Sequence, residues 1–152
     1  GTVIVFGVGI SLGTTLLTTQ AGQWLGAQVV QHTGLDQLSS LGVLAVLGAF
    51  LIVIHLGFAS ATALTSALLP ILIAVLQTLP GDFSRIGMTM LLGFVVSFGF
   101  ILPINAPQNM VCLGPDTFTP RQFARVGLWV TAIGYALLLV FASTYWSWLG
   151  WM

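Results

Sequence analysis

The chain has 152 residues, 57% of them hydrophobic and 4% charged, with zero formal net charge. A soluble domain carries about 25% charged residues. This composition, with a mean hydropathy of +1.08, defines an integral membrane protein and offers nothing to attract nucleic acid. The charges are Asp36, Asp82, Asp116, Arg85, Arg121 and Arg125, with no Lys and no Glu. All lie between apolar blocks, since charge is costly inside the bilayer. Cys112 is alone, which excludes an internal disulfide and a cysteine-based metal cluster. Gly1 opens directly into an apolar run without an initiating Met or a basic leader. That reads as a fragment whose N-terminal part lies elsewhere.

Residues 2–17 form the first predicted span, carrying Gly9 and Gly13 in a Gly-x-x-x-Gly spacing that suits close helix packing. Residues 18–34 change character. Leu25, Val29 and Val30 recur at helical spacing among Gln20, Gln23, Gln28, Gln31 and His32. With Trp24, this predicts an amphipathic helix lying in the interface plane, stopped at Gly34. Asp36 to Ser40 is a polar turn, with Ser39 or Ser40 able to cap the next helix.

Residues 41–79 are the centre of the chain. Two apolar arms, Leu41 to Ile54 and Ala67 to Leu79, flank Phe58-Ala59-Ser60-Ala61-Thr62-Ala63-Leu64-Thr65-Ser66. Neither arm reaches the roughly 20 residues of a comfortable crossing. Short arms meeting at a hydroxyl-rich tip, 59–62, predict a re-entrant hairpin. Backbone at that depth must be buried in protein or line a watery cavity, so the tip is a candidate binding site. A plainer alternative is one tilted span plus part of another, with Ser and Thr packing helix on helix. His55, near the tip, is either a packed residue or a proton-linked one.

After the Pro80–Arg85 loop, residues 87–113 predict a broken span. Pro103-Ile104-Asn105-Ala106-Pro107-Gln108-Asn109 interrupts it, because proline removes a backbone donor and drives its predecessor out of the helical region. A plain structural kink is the alternative. Gly114-Pro115-Asp116 ends the segment. Thr119-Pro120 pairs a cap with a first-turn proline. It opens the last span, 120–145, which ends in an aromatic belt of Tyr145, Trp146, Trp148 and Trp151. Counting crossings puts Asp36 and the Asp82/Arg85 loop on one face. The Arg121/Arg125 loop lies on the other, which the positive-inside rule makes cytoplasmic.

No Asp or Glu is expected at membrane depth, so a carboxylate proton relay is absent from this segment. A bound cation would have carbonyls, hydroxyls and amides, which suit a hard ion such as sodium. An anion would meet hydroxyl and amide donors and helix N-termini.

At these motifs the chain resembles the divalent anion/sodium symporter family, the INDY-type di- and tricarboxylate carriers. Ser60-Ala61-Thr62 with Ala67-Leu68-Leu69-Pro70 is similar to that family's Ser-Asn-Thr signature. Phe100-Ile101-Leu102-Pro103 with Ala106-Pro107-Gln108-Asn109 resembles its broken helix. Thr119 to Gly127 resembles the entry to its last helix. The resemblance implies an all-α integral membrane fold: the C-terminal half of an inverted-repeat transporter, with a re-entrant helical hairpin and a broken transmembrane helix. It implies a multi-pass location in the cell's inner membrane, a missing N-terminal repeat, and a homodimer as the complete carrier. The activity implied is secondary transport of di- or tricarboxylates such as succinate or citrate, not enzymatic catalysis. Carried over by position, Ser60, Ala61, Thr62, Asn105, Ala106, Pro107 and Asn109 would meet the substrate. Ser60, Ala61, Thr62, Asn105 and Pro107 would meet sodium, and no other cofactor is implied.

One departure matters. The middle Asn of the signature is Ala61, which offers no side-chain oxygen, while Asn105 stands in the facing break. The amide has changed sides, and carboxylate exchange becomes an alternative to sodium symport. Transport of another divalent anion such as sulfate, or a non-transporting membrane subunit, also remains open. An intramembrane hydrolase using Ser60 and His55 is disfavoured: five residues apart, they do not share a helical face, and there is no Gly-x-Ser-x-Gly elbow.

Overall fold

The computed structural model describes residues 21–113 and 119–151, with Ile4, Gly7, Val8, Ser11, Thr15, Thr18 and Thr19 as single positions before them. The expected first span at 2–17, its Gly9 and Gly13, and the Gly114-Pro115-Asp116 loop lie essentially outside the described residues. Among the described residues there are helices and no strands. They are α1 (Ala21–Thr33), α2 (Ser40–His55), α3 (Ala61–Thr78), α4 (Arg85–Val96), α5 (Pro107–Leu113) and α6 (Pro120–Phe141). Short 3-10 turns stand at Leu35–Gln37 and Pro103–Asn105, and α6 continues as a π-helical turn over Ala142–Trp146.

Serine and threonine set the helix starts. Ser39 accepts from the Gly42 amide, Ser60 from Ala63, Ser84 from Gly87 and Thr119 from Gln122. Each satisfies one of the amides a helix leaves free in its first turn. Gln122 answers Thr119 by accepting from its backbone amide at 2.8 Å, closing a capping box. At the base of the hairpin Arg85 donates to the Leu79 carbonyl at 3.1 Å and lies over the Phe83 ring. It thereby places a positive charge at the C-terminal end of α3.

α4 packs on both arms, α2 and α3, and the arms rest more on their other neighbours than on each other. α1 runs along α3, where Gly26 comes so close that a Cβ would lie 2.8 Å from the Ala74 carbonyl. The helix expected in the interface plane thus has a protein partner on one side, with Val29 and Val30 against the core and Trp24 exposed. The core is the shared seam of α2, α3 and α4: Leu44, Leu47, Leu51, Leu64, Val75, Met88, Leu91, Leu92 and Val95.

α6 covers α2 with a single stripe. Gly127, Thr131, Leu138 and Ala142 are buried and Tyr135 is half-buried, at the three- and four-residue spacing of one helical face. The Tyr135 hydroxyl donates to the Ala45 carbonyl of α2, its ring beside Gly48. The rest of α6 exposes Val126, Trp129, Val130, Ile133, Leu137 and Val140. Large apolar side chains turned outward on this scale fit hydrocarbon better than water. The chain then turns back at Gly150, and Trp151 lies against Gly87 at the start of α4.

Among the described residues two helices are long and apolar enough to cross a membrane, Ala61–Thr78 and the continuous Pro120–Trp146. α2 and α4 are shorter, with 16 and 12 residues, or about 24 and 18 Å. Two boundaries differ from the sequence expectation. The second arm starts at Ala61, six residues before Ala67, so most of the hydroxyl cluster is helical. Ser60 caps it, and Thr65 returns its hydroxyl to the Ala61 carbonyl at 2.7 Å. The helix before the break stops at Val96, not at Leu102. Residues 97–106 are unwound because Leu102 is held extended before Pro103 (φ −111°, ψ 143°) and Gly99 is drawn against the hairpin tip.

Candidate functional site

The site is where the loop between α2 and α3 meets the unwound stretch between α4 and α5. After His55 the chain leaves α2 through short turns: Leu56 bonds back to Val53, Gly57 to Ile54 and Phe58 to His55. Ser60 is extended (φ −157°, ψ 123°), and its hydroxyl accepts from the Ala63 amide at 3.4 Å. Ala61 and Thr62 occupy the first turn of α3 and are half-buried.

Two amides hold the break. Asn105 is 1% exposed. Its side-chain NH2 donates to the His55 carbonyl at 2.7 Å and the Phe58 carbonyl at 2.8 Å. Its Oδ1 accepts from the Leu102 amide at 3.0 Å. Only this orientation of the amide pairs donor with acceptor at all three contacts. Asn109, at the start of α5, donates to the Gly99 carbonyl at 2.8 Å and the Leu102 carbonyl at 3.3 Å. Ala106 is extended and half-buried; Pro107 is the first residue of α5. Gln108 is exposed.

Of the residues singled out from the sequence, Asn105 and Asn109 therefore spend their amides on backbone carbonyls. Asn105 joins the break to the tip. Asn109 binds within the break. Ser60, Ala61 and Thr62 lie on the tip side of the same junction.

Three further residues shape it. His55 is 2% exposed, and among the described residues neither ring nitrogen has a hydrogen-bond partner. A Cβ on Gly99 would lie 3.0 Å from His55 Nε2, so the break approaches the ring as closely as it does because residue 99 is glycine. On the far side, a Cβ on Gly127 would lie 1.9 Å from the Phe100 carbonyl oxygen. α6 thus presses its backbone directly on the break. Beside this contact is an apolar cavity of about 500 Å³ lined by Phe100, Asn109, Phe123, Val126 and Val130, among others. The glycine roles were not legible beforehand, because nothing in local sequence tells which glycine faces another backbone. Gly127 did fall inside a segment that resembled a known motif.

Among the described residues no group of three His, Cys, Asp or Glu could hold a metal ion. What the junction offers is neutral: hydroxyls, carbonyls, and the first amides of α3.

Outward-facing apolar helices around a buried junction of loop and broken helix define a membrane protein whose polar chemistry is kept inside. The chain belongs to the family described as "Sodium:sulfate symporter transmembrane region", which matches residues 1–152. This is a family of transporters and not of enzymes, and it bears out the resemblance seen at the two motifs. A "Membrane protein" of Cupriavidus necator is 76% identical over the whole chain, which covers 30% of that relative. An "Uncharacterized transporter" of Haemophilus influenzae is 25% identical over 96% of this chain and 31% of its own length. The "Sodium-dependent dicarboxylate transporter SdcS" of Staphylococcus saprophyticus is 23% identical over 92% of this chain and 26% of its own. The chain thus spans about a third or less of these relatives. No solved structure matches.

Proposed function

We propose that the chain forms half of the substrate site of a secondary carrier for di- or tricarboxylate anions, working by sodium-coupled symport or by carboxylate exchange. The carrier is a multi-pass protein of the cell's inner membrane. A preceding inverted repeat supplies the other half of the site, and the working unit is a homodimer. The observation that carries this reading is the junction itself: the Ser60-capped start of α3 held against the break by a buried amide. An anion there would meet the Thr62 hydroxyl and the unpaired first amides of an 18-residue helix. Among the described residues no fixed negative charge opposes it, because Asp36 and Asp82 belong to the loops before α2 and after α3. The name of the Staphylococcus relative supports the dicarboxylate class.

A re-entrant hairpin is supported by the way tip, break and last helix meet. The tip touches the break through Asn105, and the break touches α6 at Gly127. α6 begins seven residues before Gly127, at Pro120, so about 10 Å of helix precedes its contact with the break. At its other end it returns to the hairpin base, where Trp151 meets Gly87.

The test is uptake of labelled succinate and citrate by liposomes holding the complete gene product, with and without a sodium gradient and with and without internal dicarboxylate. Saturable uptake under either driving condition is expected. Absence of uptake and of carboxylate binding would overturn the reading and leave a non-transporting subunit. Sulfate is the second reading, favoured by the family's description. Labelled sulfate taken up in preference to succinate would establish it.

A further inference from the structure

The tip–break junction has a polar group at its centre that a cation-binding junction should not have. The His55 and Phe58 carbonyls converge on one point, and that point is the NH2 of Asn105, 2.7 and 2.8 Å away. We infer that the Asn105 amide substitutes for a co-transported cation at this junction, so that this half of the carrier closes without sodium. The inference deepens the proposed transport function and rests on it.

The argument begins with what the carbonyls need. His55 ends α2, and its carbonyl already accepts from the Phe58 amide at 3.0 Å. Carbonyls at the end of a helix carry the negative end of its dipole. Buried ones need a partner. A hard cation meets such a need by gathering several oxygens at once. An amide NH2 meets it with two protons and a partial positive charge, and it never leaves. Oxygens aimed at that nitrogen are not free for an ion, and a donor group at the centre of an oxygen cage repels one.

The rest of the junction agrees. Ala61 contributes no side-chain oxygen. The Ser60 hydroxyl already accepts from Ala63, and the Ala61 carbonyl accepts from Thr65. Asn105 is itself immobilised, since its Oδ1 holds the Leu102 amide and Asn109 holds the Leu102 carbonyl. The bridge between tip and break is therefore built into the chain. Ser60, Ala61, Thr62, Asn105 and Pro107, the set that the family resemblance offered to sodium, do not fit the ion in this arrangement.

Asn105→Asp tests this. It keeps the size of the side chain but turns an anionic oxygen toward two carbonyl oxygens, a cluster that needs a cation. The complete gene product would be melted in detergent in sodium chloride and in potassium chloride at equal ionic strength. Its sodium dependence would also be measured in reconstituted uptake. Asn105→Asp is expected to gain a sodium-specific rise in melting temperature beyond any in the wild type, and a steeper sodium dependence of uptake. Should it not fold, the double variant Ala61→Asn, Asn105→Ala removes the donor, restores an oxygen to the tip and carries the same expectation. An identical sodium response in wild type and in the folded variant would overturn the inference. The melting readout needs no substrate, so a sodium response gained in the absence of carboxylate uptake would sustain this inference while sinking the carboxylate reading.

Discussion

Gly127→Ala probes the contact on which the geometry of the break depends. The added Cβ would stand 1.9 Å from the Phe100 oxygen, 2.7 Å from the Phe100 carbonyl carbon and 3.0 Å from the Ile101 Cα. Carbon and carbonyl oxygen approach no closer than about 3.3 Å even in favourable contacts. α6 and the break must therefore part by more than about 1 Å. The atoms struck are backbone, so no side chain can rotate away. Overpacking costs about 1–3 kcal/mol and occasionally more, and this case belongs at the upper end. Alanine recovers about 0.5–1 kcal/mol through its better helix propensity, leaving a net loss of about 2 kcal/mol. Gly93→Ala in α4 is the internal control, because no atom of the described residues lies within 4 Å of its Cβ position. It should be neutral or mildly stabilising. The assay is the melting temperature of the complete gene product in detergent, paired with initial uptake rates in liposomes. Gly127→Ala should melt well below wild type and transport poorly, while Gly93→Ala does neither. If both variants melt and transport alike, α6 does not press on the break as described.

Three other expectations are independent of that contact. Thr119→Ala removes the cap of α6 and half of its capping box. It should lower stability by about 1 kcal/mol, read as a reduced melting temperature, and Thr119→Ser should restore it. Tyr135→Phe deletes the hydroxyl that ties α6 to the Ala45 carbonyl, a loss of about 1 kcal/mol in the same assay with little effect on substrate affinity. In a Cys112→Ala background, cysteines at positions 60 and 62 should react with a membrane-impermeant maleimide. Cysteines replacing Leu44 (0% exposed) and Leu72 (4%) should not. Silence at position 60 from both sides and in every transport condition would argue against a water-accessible tip.

Which parts of this were legible in the sequence follows from what each depends on. Thr119-Pro120 announces a helix start because capping and proline geometry are local, and Thr119 does cap α6. The seam of α6 was not read from the sequence, because a span apolar on every side does not say which face meets protein. The hydroxyl cluster at 60–66 was harder to read. Ser and Thr suggest loop by composition, but Ser60 caps, Thr65 bonds back within the helix, and Ala61 and Ala63 favour helix. The second arm therefore begins earlier than its apolar run. The break was placed by its prolines, yet it opens at Ser97 because unwinding is also set by Gly99 meeting His55 from another helix. Asn105 and Asn109 stood out as amides in an apolar context. Their partners could not be read, because those partners are backbone carbonyls, which every residue carries.

The same carbonyl contacts decide how a perturbation at the tip would spread. Asn105 draws the break toward the tip on one side. Gly127 lets α6 close on it from the other. Tyr135 then ties α6 back to α2, the arm from which the tip emerges. Tip, break and last helix thus form a closed circuit of contacts in which no member can shift alone without breaking a buried hydrogen bond or opening a backbone contact. A buried polar group left unpaired costs about 1–3 kcal/mol, so opening the circuit at two carbonyls at once is a steep local step. Displacement of the whole circuit against its surroundings leaves those bonds intact. Its outer face is the apolar side of α6, where Val126, Trp129, Val130, Ile133, Leu137 and Val140 are exposed. If the chain works as the proposed carrier, motion of this block as one body is therefore a less costly route to exposing substrate on alternate sides than local opening of the junction.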